Sequence, residues 1–145
     1  MSGTDLLVFR LGRRLFALNP GEAREVFHPV GVTPAPMAPP VIVGVMNLRG
    51  RIVTLICARR LLRIASSKVQ GPKPIAIGLD IDGDSYGLIV DEVEGVCRAD
   101  PGPVMPPHDL PGNWAAHSSG IRKAGGRELV ALDVRRLIEA VTEAA

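Results

Sequence analysis

The chain repeats itself at a fixed offset. Gly44–Leu62 reads GVMNLRGRIVTLICARRLL, and Gly120–Ile138 reads GIRKAGGRELVALDVRRLI. The offset holds without a gap, since 120 − 44 = 76 and 138 − 62 = 76. Six of the nineteen aligned positions are identical: Gly44/Gly120, Gly50/Gly126, Arg51/Arg127, Arg59/Arg135, Arg60/Arg136 and Leu61/Leu137. Most of the others stay apolar, as in Val45/Ile121, Val53/Leu129 and Ile56/Leu132. A unit this short has too little surface to bury alone. The copies are therefore expected to share one core, as stacked repeats do. Two similar halves within 145 residues fit the size of a single domain.

Each half reads as hairpin, strand, proline-rich loop, hairpin, helix. In the first, Leu6–Leu11 and Leu15–Leu18 are strands about a turn at Gly12-Arg13-Arg14, and Glu22–Phe27 continues as a strand. Residues 29–40 carry five prolines, which lack ladder donors and predict a loop. Val41–Leu48 and Ile52–Cys57 form a second pair joined at Arg49-Gly50-Arg51, and Ala58–Ile64 a short helix. In the second half, Pro74–Ile81 and Tyr86–Val90 flank the turn Asp82-Gly83-Asp84, and Asp91–Val96 takes the place of Glu22–Phe27. Five prolines recur over 101–111, and a final helix runs from about Asp133 to Ala144. In that helix Val134, Leu137, Ile138 and Val141 fall on one apolar stripe, and Asp133 can cap it. The polar stretch 66–73 reads as a linker. The expected organisation is one domain over 1–145, with subdomain 1 over about 6–64, subdomain 2 over about 74–145, and room for the two to interlock. Many short strands between Gly/Pro turns predict a mainly β chain of small barrels or curled sheets. Sheets with so many edges need a cover, often a partner.

Several function classes are disfavoured. The net charge is 17 − 15 = +2, and aromatic residues are 3% of the chain, too few for the stacking platforms of a single-strand nucleic-acid binder. Arg59-Arg60 and Arg135-Arg136 sit at equivalent helix starts and read as solvated faces. Runs such as Val41–Val45 and Ile52–Ala58 fall far short of the ~20 residues of a membrane span. The N-terminus has no basic region ahead of its apolar stretch. A cytoplasmic protein without membrane insertion is expected. Cys57 and Cys97 have no metal spacing and read as buried small residues. His28, His108 and His117 have no nucleophile elbow to serve. Asp80-Ile81-Asp82-Gly83-Asp84 fails as a calcium loop, because Ser85 stands where glycine is needed and Asp91 where glutamate is needed. No phosphate-loop pattern occurs. The reading is no enzyme, no cofactor and no metal.

Arg49 stands out among the arginines. It lies between an apolar strand and Gly50, so its stem is expected to pack near the sheet and its guanidinium to need an acceptor. Glu25, on the preceding strand of the same half, is the candidate partner. The pair can be a structural tie for the turn or a charged anchor on a binding face, and both readings stay open.

The string Val43-Gly44-Val45-Met46-Asn47-Leu48-Arg49-Gly50-Arg51-Ile52-Val53 closely resembles the G-V-x-N-L-R-G-x-I-V signature of CheW-like domains. Leu7–Gly12 resembles the family's opening strand and turn, and Gly87–Val93 its G-x-x-V-D-x-V element. Gly125–Val130 through Leu137-Ile138 resembles its closing strand and helix. The resemblance spans about Leu6 to Ile138. It implies two similar interlocked five-stranded, SH3-like β-barrel subdomains with short helices. It implies a non-enzymatic adaptor coupling chemoreceptors to a CheA-type histidine kinase. Barrel ends would pair with the kinase regulatory domain, and a groove between subdomains would meet the cytoplasmic tip of the receptor. Carried over by position, Glu25, Val26, Val43, Val45, Asn47, Leu48, Arg49 and Gly50 are the implied partner-binding residues of the first subdomain. Asp91 and Val93 are those of the second. The chain departs from the family pattern at Thr54, where proline is usual, and at Cys57, where aspartate is usual. It departs again at the break Asn19-Pro20-Gly21 and at Arg122-Lys123. The alternatives are a CheW-like scaffold in a related motility or other kinase pathway and, more distantly, a small-barrel nucleic-acid binder.

Overall fold

The computed structural model describes residues 5–64, 74–107, 110 and 114–143. The linker expected over 66–73 and His108 lie outside them. In chain order the elements are β1 (Asp5–Leu11), β2 (Arg14–Leu18), a 3-10 turn (Pro20–Glu22), β3 (Ala23–Phe27), β4 (Thr33–Pro34), β5 (Ile42–Leu48), β6 (Arg51–Cys57) and α1 (Ala58–Leu61). There follow β7 (Ile75–Ile81), β8 (Asp84–Val90), β9 (Glu92–Arg98), α2 (Trp114–His117), β10 (Ser118–Ala124), β11 (Arg127–Leu132) and α3 (Val134–Glu143).

Each sheet draws on both halves of the sequence. One has the order β10-β11-β2-β1-β9 and the other β3-β7-β8-β6-β5-β4. The first hairpin of each half thus joins the second hairpin of the other half. The seams are two parallel pairs, β2 with β11 and β6 with β8. The two sheets correspond residue by residue. Leu7 pairs with Leu18 as Ile77 pairs with Leu88, an offset of 77 − 7 = 70. Val130 faces Phe16 as Thr54 faces Tyr86. Even the bulges repeat. The ladder skips Arg24 in β3 and Glu94 in β9, and it skips Val43 in β5 and Ser119 in β10.

The two proline-rich segments have equivalent places. β4 pairs Thr33 with Val45 and Pro34 with Gly44, and Met105 bridges Ile121. The proline-rich stretch expected as a loop thus supplies a two-residue sixth strand, which an edge tolerates because one side needs no ladder donors. Gly44 and Gly120 lie beneath these straps. A Cβ on Gly44 would run into the carbonyl oxygen of Thr33, and one on Gly120 would come within 2.6 Å of that of Met105. The identity of this glycine pair is therefore a matter of close backbone approach.

Three cores follow from the topology. Leu6, Val8, Ala17, Ala124 and Leu129 fill the concave side of the first sheet, and Met46, Val53 and Leu55 that of the second, with Phe27 packed against them. Phe27 and Met46 belong to strands well separated in the sheet order, so the sheet curls on itself. The largest core lies between the sheets. It joins Phe9, Phe16, Ile56, Ile77 and Leu88 with Leu137 and Ile138 of α3. Asp133 caps α3, its Oδ1 accepting from Arg136 N at 3.1 Å. Among the described residues the outer strands of each sheet are not continuously hydrogen-bonded to one another. In the first sheet Asp100 N donates to Lys123 O at 2.7 Å, and its carboxylate accepts from Gly125 N and Gly126 N at 2.9 Å each.

His117 ends the helix α2 and is buried, and burial lowers its pKa from the usual imidazole value. Two expectations are corrected. Cys57 and Cys97 are half-buried rather than enclosed. Arg59 is not on a solvated face but only 5% exposed. No helix among the described residues is long and apolar enough to cross a membrane.

Candidate functional site

The β5–β6 hairpin turns on two residues in the left-handed region, Arg49 at φ 51° and Gly50 at φ 85°. That is the geometry whose twist matches antiparallel strands, and glycine or asparagine usually occupies it. Asn47 supports the turn, its Oδ1 accepting from Gly50 N at 2.8 Å. Leu48 anchors the hairpin against the Met46–Val53–Leu55 core. Arg49 spans the opening between hairpin and β3, where its guanidinium ion-pairs with Glu25. The partner expected from the sequence is therefore the one found. The expected packing of the stem is not, since the Arg49 side chain is 68% exposed.

Beneath this pair is a shallow pocket of about 150 Å³ at the mouth of the curled sheet, lined by Phe27, Leu48, Val53, Leu79 and Tyr86 among others. Its charges are balanced by a second network. Asp80 accepts from Arg24 at 2.5 Å and from Ser85 Oγ at 3.0 Å, and Arg51 approaches at 3.5 Å. The Arg24 hydrogen bond lowers the Asp80 pKa below the usual carboxylate value, burial opposes it, and Ser85 and Arg51 add to the lowering. Arg24, Arg51 and Asp80 were missed in the sequence. Asp80 was visible only as part of a turn, and Arg24 is the extra residue of a bulge.

Outside the mouth, strand alternation turns apolar side chains to solvent. Val26 is 42% exposed, Val43 36% and Ile52 63%. Asn47 is exposed opposite Ile52. Val45 is half-buried, with β4 on one side and Thr54 on the other. Ile52 was missed because it sits in an unbroken apolar run that hides the alternation. Glu25, Leu48, Arg49 and the Asn47–Gly50 turn thus come together at one mouth, with Val26, Val43 and Ile52 as exposed apolar neighbours in the same sheet.

Asp91 and Val93 do not line this mouth. Asp91 is the single residue between β8 of one sheet and β9 of the other. Its carboxylate receives Arg59 Nε at 2.7 Å, Arg59 Nη2 and Gly12 N at 2.7 Å. Its own N–H donates to Arg10 O at 3.1 Å. Val93 packs against the core between the sheets. Among the described residues no His/Cys/Asp/Glu cluster could hold a metal ion. The mouth is lined by Arg24, Glu25, Arg49, Arg51 and Asp80 alongside Phe27, Leu48, Val53, Leu79 and Tyr86. It offers apolar area and fixed opposite charges, the composition of a protein-binding face.

The family model of the CheW-like domain matches residues 5–142. Chemotaxis protein CheW of Thermotoga maritima is 28% identical over 138 residues, covering 95% of this chain and 89% of the relative. Chemotaxis protein CheW of Treponema pallidum is 25% identical over 137 residues, covering 92% and 81%. Among solved structures, the scaffolding protein TtCheW from Thermoanaerobacter tengcongensis superposes with a TM-score of 0.83. It is 29% identical and covers 94% of this chain and 92% of that one.

Proposed function

The chain belongs to the CheW-like domain family, and on that premise we propose how it works as a non-enzymatic adaptor coupling chemoreceptors to a CheA-type histidine kinase. The observation that carries the reading is the mouth built by Arg49 and Glu25. An arginine is held in a conformation that favours glycine, at a hairpin tip in the sheet that also exposes Val26, Val43 and Ile52. Strain of this kind collects at functional positions. The apolar side chains supply buried area, and the ion pair sets the register and orientation of the incoming surface. The partner at this mouth is the regulatory domain of the kinase. The receptor's cytoplasmic tip meets the chain at the junction of the two sheets, so the adaptor works on the cytoplasmic side. Asp91 and Val93 act there indirectly, by fixing how one sheet passes into the other.

Calorimetric titration with the kinase regulatory domain from the same genome tests the reading. Wild type is expected to bind in the micromolar range or tighter. Arg49→Ala is expected to weaken binding about tenfold or more, a change of about 1.4 kcal/mol, while the thermal midpoint hardly moves. Equal loss of binding and stability would make Arg49 only a tie for its turn. No binding by well-folded wild type would overturn the kinase assignment.

A further inference from the structure

We propose that the chain carries a second binding surface, at the β1–β2 turn and the end of α1, where Arg13, Arg14 and Arg63 receive a carboxylate-rich segment of a protein partner. The first observation is backbone strain. Arg63 has φ 56° and closes α1, with Ile64 N donating to Arg59 O at 2.8 Å and Arg63 N to Arg60 O at 3.2 Å. This closure places glycine at the left-handed position in most helices that use it. A side chain there is strained, because its Cβ crowds the following carbonyl oxygen. The other two non-glycine residues in this region, Arg49 and Asp82, each hold an ion-pair partner. Arg63 makes no ion pair among the described residues.

The second observation is convergence. The closure sets Ile64 against the β1–β2 turn, its Cγ2 3.8 Å from where a Cβ on Gly12 would stand. Arg13 and Arg14 follow Gly12, and both are exposed. The Arg14 guanidinium lies 5.2 Å from the centre of the Trp114 ring, and Trp114 Nε1 donates to Leu62 O at 2.6 Å. Trp114 therefore ties Arg14 to the residue just before Arg63. The carboxylate that touches this corner, Asp91 at Gly12 N, is already engaged by Arg59, and its neighbour Glu92 by Arg10 at 3.6 Å. The β1–β2 turn and the end of α1 thus meet, and among the described residues Arg13, Arg14 and Arg63 have no carboxylate partner. Their planar forks suit carboxylates. Nucleic acid would want an exposed ring to stack on, whereas Trp114 is 5% exposed.

Trp114 is the chain's single tryptophan and reports on Arg14. Titrating the full chain with hexaglutamate is expected to give a saturable change in its fluorescence. Calorimetry of the same mixture reads binding even where the emission is silent. Hexaglutamine is expected to give none, and about 0.5 M salt to abolish the effect by screening. Arg63→Gly relieves the strained closure, so it is expected to hold or raise the thermal midpoint while weakening hexaglutamate about fivefold, close to 1 kcal/mol. Arg13→Gln is expected to weaken it similarly, and Arg49→Ala to leave it unchanged, which separates this surface from the mouth. Absence of binding in both readouts, or unaltered binding by Arg63→Gly and Arg13→Gln, would overturn the proposal. So would tighter binding of phosphatidylglycerol vesicles or a single-stranded oligonucleotide than of hexaglutamate.

Discussion

Arg59 and Arg135 stand at equivalent points of the two copies, each at the start of a helix that follows a hairpin. Arg59 reaches Asp91 between the sheets, where the two side chains are 7% and 12% exposed. Arg135 reaches Asp82 at the surface at 2.9 Å, where they are 57% and 71% exposed. With the offset of 70, Asp82 corresponds to Gly12 and Asp91 to Gly21. The carboxylate has therefore changed places with a glycine, from the crossover in one copy to the hairpin turn in the other. The mouths show the same exchange. Arg24 and Asp80 in one sheet correspond to Glu94 and Arg10 in the other, with signs reversed, and both pairs close, at 2.5 Å and 2.7 Å. Arg51 and its repeat Arg127 join the acid in each case. Duplication preserved the geometry and the need for one opposite charge, while the residue supplying it drifted. The cost of losing that charge then depends on burial alone.

Asp91→Ala gives the largest expected effect. It strands a buried guanidinium, and breaking a buried pair costs roughly 3–5 kcal/mol. Asp82→Ala, at the exposed counterpart, is expected to leave the denaturant midpoint within experimental scatter. Similar losses in urea unfolding would break the comparison. Adding Gly12→Asp to Asp91→Ala sharpens it. Gly12 has φ 60° and Asp82 φ 51°, so the turn accepts aspartate, and part of the lost stability is expected to return.

Next come the strap glycines. Gly44→Ala meets backbone in the strap and is expected to cost about 2 kcal/mol by overpacking. Gly120→Ala meets the same obstruction and also has φ 138°, so about 1–2 kcal/mol of backbone strain is added. A smaller loss at Gly120 than at Gly44, read by thermal unfolding, would contradict the equivalence of the straps.

The smallest effect is acid sensitivity. Asp100 has its pKa lowered from 3.8 by the N–H of Gly126 first and of Gly125 next, with a smaller part from Lys123. A carboxylate whose folded pKa lies below its unfolded value stabilises the fold above the unfolded value. That contribution fades as pH falls below about 4 toward the folded pKa. Asp80, lowered chiefly by Arg24, behaves alike. Asp100→Asn is expected to flatten the stability profile between pH 4 and acid, whereas Glu25→Gln acts chiefly on partner binding. An unchanged acid profile in Asp100→Asn would count against the first sheet's closure through this carboxylate.

Much of this was legible in the chain. The hairpins at Gly12, Arg49-Gly50 and Asp82-Gly83 announce themselves through turn residues, and the Asn47–Gly50 turn and its Glu25 partner lie where strand order places them. The register of the first hairpins was not legible. Asp91–Val96 aligns by eye with Glu22–Phe27, an offset of 69, whereas the ladders set it at 70. One residue is decisive in strands, because it moves every side chain to the other face. At the correct offset identity has nearly vanished, since charges and glycines have swapped. The bulges at Arg24 and Glu94 are invisible too, because an extra residue in a strand leaves no mark in composition. Arg59 looked solvated because its repeat, Arg135, is solvated.

The sequence by itself determined the duplication, the mainly β elements, the tight turns and the family, since each rests on local spacing of apolar, glycine and proline residues. Only the tertiary structure decided that each first hairpin pairs with the other half, where each counter-charge sits, and which arginine is buried. The physical reason is range. The seams β2–β11 and β6–β8 join strands far apart in the chain, and packing of both sheets on one core selects that pairing, which no local preference encodes.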